Sequence, residues 1–233
     1  MRNSVWNIRY KVIACGDGGL FSTRKRAHYE KALIFHDAGI GFRPHAKDLS
    51  VPIFAGMNLR GNEILAAMMR VQLGRLDGIV RDLHRVHRAI STRVAGVSGL
   101  EPIPYNGSRD AGTRTGTGAT LGFRFPTEAA ARAFAAGFAA AQKPRLASAS
   151  LPIDSGRHVY SNWECVMQKR VLHAEAMNAF RMLKNRASRA RFTKNMLPRT
   201  LAILKTTVLI SVNPGWTGKQ IDAVSAAIVK AAR

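Results

Sequence analysis

A single lysine stands at the start of a glycine-rich turn near the beginning of the chain. Residues 11–19 read KVIACGDGG, so that Lys11 precedes a β-branched pair that leads into a turn. The β-branched pair favours a buried strand, and the glycines favour a backbone with positive φ or a close approach to another group. A lysine desolvated in such a place has a lowered pKa and an amine able to form a Schiff base. The alternative is a surface lysine at the start of a β-hairpin, because a glycine-rich turn alone is a weak motif.

A second candidate site combines polar and aromatic residues at high density. Residues 153–164 read IDSGRHVYSNWE. Such a segment is typical of contact with a polyhydroxylated ligand, where ring faces stack on sugars and polar side chains bond hydroxyl groups. The alternative is a structural loop with a buried Trp163 and a capping Asn162. The side chains expected on the substrate side of a pocket are His158, Tyr160, Asn162 and Trp163.

The charge of the chain is strongly positive. Its 233 residues include 36 Lys and Arg against 14 Asp and Glu, a formal net charge of +22. A basic surface could bind nucleic acid by neutralising phosphates. However, the basic residues are spread along the chain, and aromatic residues for base stacking make up only 7%. The densest basic stretch, residues 181–194, is the candidate patch for such binding.

The remaining composition indicates a globular protein. Hydrophobic residues make up 46% of the chain, and no apolar run reaches the roughly 18 residues of a membrane helix. The first residues contain no apolar signal core, so the expected location is the cytoplasm. Cys15 and Cys165 lie far apart without metal-site spacing, which favours free thiols and gives no expected metal site.

Hydrophobic periodicity predicts the elements that must position these residues. Helices are expected at 26–36, with Tyr29, Leu33 and either Ala32 or His36 on one face, and at 62–93, with Asn62 as the cap. A strand at 120–125 and a helix from Thr127 to about 142 follow. The last predicted elements are a short helix at 198–204, a strand at 207–212 and a helix capped by Thr217.

Three stretches share their residues and their order with one known family. KVIACGDGG at 11–19 is similar to a lysine followed by Ile-Thr-Thr-Gly-Glu-Gly-Gly, with Asp17 in place of the glutamate, and FHDAG follows at 35–39. GMNLRGNEILAA at 56–67 is similar to the Asn-Tyr-Arg-Met-Ser-Glu-Leu-Gln-Ala-Ala block, and residues 154–164 resemble Asp-Thr-Gly-Arg-His-Val-Tyr-Thr-Asn-Trp-Glu. The chain thus resembles the DegT/DnrJ/EryC1/StrS sugar aminotransferases, fold-type I enzymes that depend on pyridoxal 5'-phosphate (PLP). The resemblance implies that Lys11 is the Schiff-base lysine.

The resemblance also assigns two polar residues before the long helix. Asn58 and Arg60 match the family positions in a loop that reaches across a dimer interface toward the partner's PLP phosphate. An amide and a guanidinium near a helix start suit a phosphate. The alternative is that Asn58 only makes a turn and that Arg60 only pairs with Glu63 or another surface acid.

The resemblance covers nearly the whole chain but only the second half of the family's length. The family's segment before the lysine holds the aspartate for the pyridine nitrogen and a phosphate-binding serine, whose position is Trp6 here. We therefore expect a C-terminal fragment of α/β class, α+β in its C-terminal part. It would be a truncated fold-type I transferase that lacks most of the large-domain parallel sheet. The expected division is a PLP-domain remnant at 1–60, a connecting helix at 61–95 and a small α+β domain at 96–233.

The resemblance implies transamination of a keto-sugar or cyclitol ketone by an amino acid donor such as glutamate or glutamine. In it, Lys11 holds PLP and moves a proton between substrate carbon and cofactor. A homodimer, or a separate N-terminal half, is the implied partner. Two alternatives are a non-catalytic basic module that binds nucleic acid or another polyanion, and a fragment that depends on a partner chain.

Overall fold

The computed structural model describes residues 4–7, 12–14, 16, 18–39, 44, 48–103, 116–156, 158–171, 175–185 and 191–233. The chain divides into two compact units, Met1–Arg81 and Asp82–Arg233. The boundary falls inside one long helix, so the three-part division expected from the sequence stays a prediction. Among the described residues, no helix is long and apolar enough to span a membrane.

The first unit contains a two-stranded sheet and helices. Strands β1 (Ser4–Asn7) and β2 (Gly19–Ser22) pair antiparallel. Helix α1 (Arg26–His36) follows, and helix α2 (Glu63–Arg93) begins in this unit and continues into the second. The strand expected at Val12 and Ile13 is contradicted, because both residues lie in a bend. The paired ladder at the described residues ends before them, and a strand needs a hydrogen-bonded neighbour.

Helix α1 is confirmed, but its most buried residues are not those of the predicted face. The residues it buries are Glu30 and Ile34, whereas Tyr29 is 57% exposed. Ile34 packs with Leu33 and with two residues of the following loop at 49 and 51. A buried glutamate thus occupies a position that periodicity alone would give to an apolar residue.

The first unit exposes more large apolar side chains than it buries. Twelve of the eighteen large apolar side chains that are exposed in the described chain lie before residue 82, including Ile64 and Val71 of helix α2. Among the described residues of this unit, Ile34 is the one fully buried apolar residue. The fully buried residues of helix α2 lie only in its second half, at Leu83, Val86 and Ile90.

The second unit is an antiparallel sheet with helices packed on it. Its strands are ordered β3–β4–β6–β5, where β3 is Glu101–Pro102, β4 is Thr120–Arg124, β5 is Ala149–Ser150 and β6 is Thr207–Ser211. Helix α3 (Glu128–Ala140) packs on the sheet through Phe134, whose ring centroid is 4.9 Å from that of Phe125. The other helices are α4 (Glu164–Met167), α5 (Pro198–Lys205) and α6 (Gly218–Ala231). Short 3-10 helices lie at Pro152–Asp154, Tyr160–Asn162, Glu175–Met177 and Leu183–Asn185.

The predicted helix caps are confirmed by hydrogen bonds. The amide of Ile64 donates to Asn62 Oδ1 at 2.8 Å, and the amide of Ala130 donates to Thr127 Oγ1 at 3.1 Å. Thr217 forms a reciprocal capping box with Gln220 at the start of α6. Side-chain oxygens thus satisfy amides that the first turn of a helix leaves unpaired.

Candidate cofactor-binding loop and substrate segment

The candidate Schiff-base residue Lys11 and the acidic Asp17 of its turn lie outside the described residues. Gly16 is described and has a φ of +101°, as expected for the glycine-rich turn. A Cβ atom built on Gly16 would lie 3.3 Å from Cδ2 of Leu65, in the first turn of α2. Gly16 therefore lies against the helix that the Asn58–Arg60 loop leads into.

The loop that carries Asn58 and Arg60 is bonded to the C-terminal end of α1. The amide of Met57 donates to the Phe35 carbonyl at 2.7 Å, and the amide of Leu59 donates to the His36 carbonyl at 2.8 Å. The amide of Ala38 donates back to the Met57 carbonyl at 3.1 Å. These three bonds, which we call the backbone clamp, fix the path of residues 57–59 along the helix end.

A glycine allows this close approach. A Cβ atom on Gly56 would lie 2.5 Å from the carbonyl oxygen of Phe35 and 2.7 Å from that of Ile34. Both neighbours are backbone atoms, so a side chain at this position would push the loop away from α1. The requirement is one of space, since this glycine has no positive φ.

Arg60 forms an ion pair with Asp37. Its Nη1 donates to Asp37 Oδ1 at 2.7 Å, with 45% of the arginine side chain exposed and 6% of the aspartate side chain. Asp37 also forms an isolated antiparallel bridge with Asn58. Arg60 thus pairs with an acid, as the structural alternative expected, but the acid is a buried carboxylate 23 residues earlier and not Glu63 or a surface acid.

A second buried carboxylate holds the other side of the same region. Glu30 is 2% exposed and accepts hydrogen bonds from Arg26 Nε at 2.7 Å, from Ser50 Oγ at 2.6 Å and from the Ser50 amide at 3.1 Å. The bond from Arg26 is the first cause of a lowered pKa for Glu30, followed by the bond from Ser50. The same contact raises the pKa of Arg26. Glu30 therefore stays ionised and fixes the loop at residue 50.

These groups line an open cleft of about 690 Å³ in the first unit. Both ion pairs lie on its wall, so the guanidinium groups of Arg26 and Arg60 reach it already paired with carboxylates. The aromatic and imidazole rings on the wall belong to Tyr29 and His36.

The amide of Asn58 and the guanidinium of Arg60 are groups that can donate hydrogen bonds to the phosphate of PLP. Asn58 is exposed and offers an amide, and Arg60 is half-exposed with one nitrogen engaged by Asp37. A guanidinium has further N–H groups, and amide and guanidinium donors are those that bind phosphate oxygens. Among the described residues, no cluster of three or more His, Cys, Asp or Glu is placed to hold a metal ion.

The predicted substrate segment lies in the second unit, and three of its four candidate side chains are exposed. His158 and Asn162 are exposed, and 45% of Trp163 is exposed. The alternative of a buried Trp163 with a capping Asn162 is therefore contradicted. Trp163 itself is the N-cap residue of α4, which has no side-chain cap.

Tyr160 differs from the other three. It is 9% exposed, its hydroxyl donates to the Lys194 carbonyl at 3.1 Å, and it accepts from the Leu197 amide at 3.0 Å. The hydroxyl thus joins the 3-10 helix at Tyr160–Asn162 to the segment before α5. Its predicted contact with substrate stays a prediction.

Sequence reasoning missed the two buried carboxylates. Asp37 belongs to the FHDAG motif, which gives it no role of its own, and Glu30 is not part of the face predicted for α1. The available signal was their rarity, because only 14 acidic residues occur in this basic chain. The predicted basic patch at 181–194 is described only in part, and residues 186–190 lie outside the described residues.

Solved structures similar to this chain define its fold. The chain matches 3-amino-5-hydroxybenzoic acid synthase at 18% identity and a TM-score of 0.63, covering 98% of this chain and 54% of that one. It matches the sugar aminotransferase CalS13 from Micromonospora echinospora at 17% identity and 0.63, covering 96% and 50%. It matches Spr1654 from Streptococcus pneumoniae, in its PLP form, at 12% and 0.61, covering 99% and 51%. The fold is that of the fold-type I aminotransferases, and the chain spans about half the length of these structures.

The sequence itself places the chain more narrowly. The profile of the DegT/DnrJ/EryC1/StrS aminotransferase family matches residues 8–129. The chain belongs to this family, as its motifs predicted. The matched range includes the Lys11 turn and the Asn58–Arg60 loop, and it favours an aminotransferase origin over a polyanion-binding module.

Proposed function

We propose that this chain takes part in PLP-dependent transfer of an amino group from an amino acid donor to a keto-sugar or cyclitol ketone. The observation that carries the proposal is that the family match spans both candidate cofactor elements, the turn after Lys11 and the loop with Asn58 and Arg60. In the first unit, the described part of that turn packs on the helix that this loop leads into.

In this proposal, Lys11 would hold PLP through its amine and would move a proton at the substrate carbon. PLP, when bound, supplies an electron sink that stabilises negative charge at that carbon. Asn58 and Arg60 would bind the phosphate, in a site shared with a second copy of the chain. A phosphate oxygen accepts strong hydrogen bonds from a guanidinium, so this contact would fix the orientation of the cofactor.

The substrate side is proposed separately, because these residues lie in the second unit. His158, Asn162 and Trp163 are exposed and offer ring faces and hydrogen-bonding groups to a polyhydroxylated ligand. Tyr160 would act mainly by supporting this segment, since its hydroxyl is bonded to backbone.

The proposal is tested by incubating the purified chain with PLP, reducing with borohydride and mapping the modified lysine. We expect a visible absorption band and a pyridoxyl group on Lys11, both absent in Lys11→Ala. Lys25→Ala is the matched control, because Lys25 is an exposed lysine before α1. It should label like the parent chain.

Equal labelling of many lysines in all three proteins would contradict the proposal. In that case a polyanion-binding module, which the charge of +22 suggests, would be the next candidate to test. The test would be RNA binding at several salt concentrations, because an affinity that comes from phosphate contacts falls steeply as salt is added.

A further inference from the structure

Asp37 occupies a position that is unfavourable for a carboxylate. It is 4% exposed and forms the C-cap of α1. Burial removes hydration from the charge, and the C-terminal end of a helix carries partial negative charge that repels an anion. A carboxylate in this place needs compensating positive charge, and Arg60 supplies a guanidinium at 2.7 Å.

The ion pair is not needed to fix the path of the loop. The backbone clamp of Met57, Leu59 and Ala38 already bonds the loop to α1 without any side chain. What the clamp leaves free is the long side chain of Arg60, which has several rotatable bonds and is half-exposed. The effect of Asp37 is therefore to fix the orientation of the Arg60 guanidinium.

We propose that Asp37 is a positioning residue that holds the guanidinium of Arg60 ready to bind the phosphate of PLP. Asp37 accepts a hydrogen bond from Nη1 of Arg60, and this bond orients the rest of the planar guanidinium before the phosphate binds. A donor that is already oriented loses less conformational freedom on binding, so the affinity for the phosphate rises. The inference rests on the proposed function, because it concerns the same loop.

The test compares two ligands that differ only in the phosphate. PLP and pyridoxal are titrated by absorbance into the full chain, the Asp37→Asn variant and the Asp48→Asn control. Asp48 lines the same cleft, and its hydrogen bond with Arg26 uses the backbone carbonyl, which the control keeps. We expect Asp37→Asn to bind PLP about tenfold to a hundredfold more weakly, the range for a hydrogen bond to a charged group, and to bind pyridoxal within about twofold of the parent. The control should match the parent for both ligands.

A double-mutant cycle shows whether the effect passes through Arg60. In an Arg60→Ala background, Asp37→Asn should change PLP binding by less than about twofold, since no guanidinium remains to be positioned. Equal weakening of PLP and pyridoxal, or the same loss in both backgrounds, would assign Asp37 a general structural role and overturn the inference. A change in sedimentation for Asp37→Asn would place its effect at a subunit contact and overturn it also.

Failure of the proposed function gives a different result. If the parent chain forms no adduct on Lys11, the proposed function fails at its own test, and the inference fails with it. If the adduct forms and Asp37→Asn binds PLP like the parent, only the inference fails.

Discussion

Replacing Tyr160 by phenylalanine removes one hydroxyl and keeps the ring. That hydroxyl donates to the Lys194 carbonyl and accepts from the Leu197 amide, 37 residues along the chain. The ring stays buried in the variant, so the loss is confined to two hydrogen bonds that join the Tyr160 segment to the residues before α5.

The magnitude follows from the number of bonds. Each neutral hydrogen bond contributes about 0.5–1.5 kcal/mol, so the pair contributes about 1–3 kcal/mol. If the segment around Leu197 opens locally, that free energy raises its open population about fivefold to 150-fold. If it opens only on global unfolding, the melting temperature falls by about 2–4 °C per kcal/mol.

The local change can be measured by trypsin, which cleaves after lysine, and by amide hydrogen exchange. We expect faster cleavage after Lys194 and faster exchange at Leu197 in Tyr160→Phe, without any ligand. The control is Tyr29→Phe, because Tyr29 is 57% exposed and lies in the first unit. Unchanged cleavage and exchange in Tyr160→Phe would refute the structural role. If that variant then lost only affinity for substrate, the result would support the predicted contact between Tyr160 and substrate.

Three further predictions concern the two units. Gly56→Ala should lower the free energy of unfolding by about 1–3 kcal/mol in urea denaturation, because its Cβ would lie 2.5 Å from a carbonyl oxygen of α1. Gly61→Ala, with no atom within 4 Å of its Cβ, should not, and equal effects would contradict the close approach. The lowered pKa of Glu30, caused first by Arg26, makes its stabilisation present above pH 4.5 and lost as the pH falls through the folded-state pKa. The stability gap between the parent chain and Glu30→Gln should therefore shrink in urea titrations below pH 4.5, and a constant gap would contradict the assignment. Burial lowers the pKa of His87, so the unfolded chain binds more protons than the folded chain as the pH falls below 6.5. The free energy of unfolding should therefore decrease as the pH falls through that range. His87→Gln should flatten this part of the plot of stability against pH, and an unchanged slope would exclude His87 as its cause.

Much of the local structure follows from the sequence because its causes lie within a few residues. Thr127 and Thr217 cap the helices that begin after them, through amides three residues later. Helix α2 was predicted from its three- and four-residue apolar spacing, which a helix places on one face. The family was likewise accessible, because its motifs are short runs of contiguous residues.

The motifs identified candidate residues but not their surroundings. Val12 and Ile13 have strand propensity, yet they lie in a bend because the described ladder does not extend to them. Met68 of helix α2 is an apolar residue suited to a core, yet it is 48% exposed. Propensity and periodicity describe what a segment can do, whereas the neighbour that covers or pairs with it decides the outcome.

The sequence by itself determined helices α1, α2, α3, α5 and α6, the caps of three of them, the excess of positive charge and the family. Only the tertiary structure decided that Glu30 and Asp37 are buried, that Arg60 pairs with Asp37 and that Tyr160 bonds backbone. The partners in these contacts are 20, 23 and 37 residues apart. Burial of a polar side chain is favourable where such a partner satisfies it, because an unpaired buried hydroxyl costs about 1–3 kcal/mol and an unpaired buried charge costs more. No local pattern records that partner, so the roles of these residues appear only once the chain is folded.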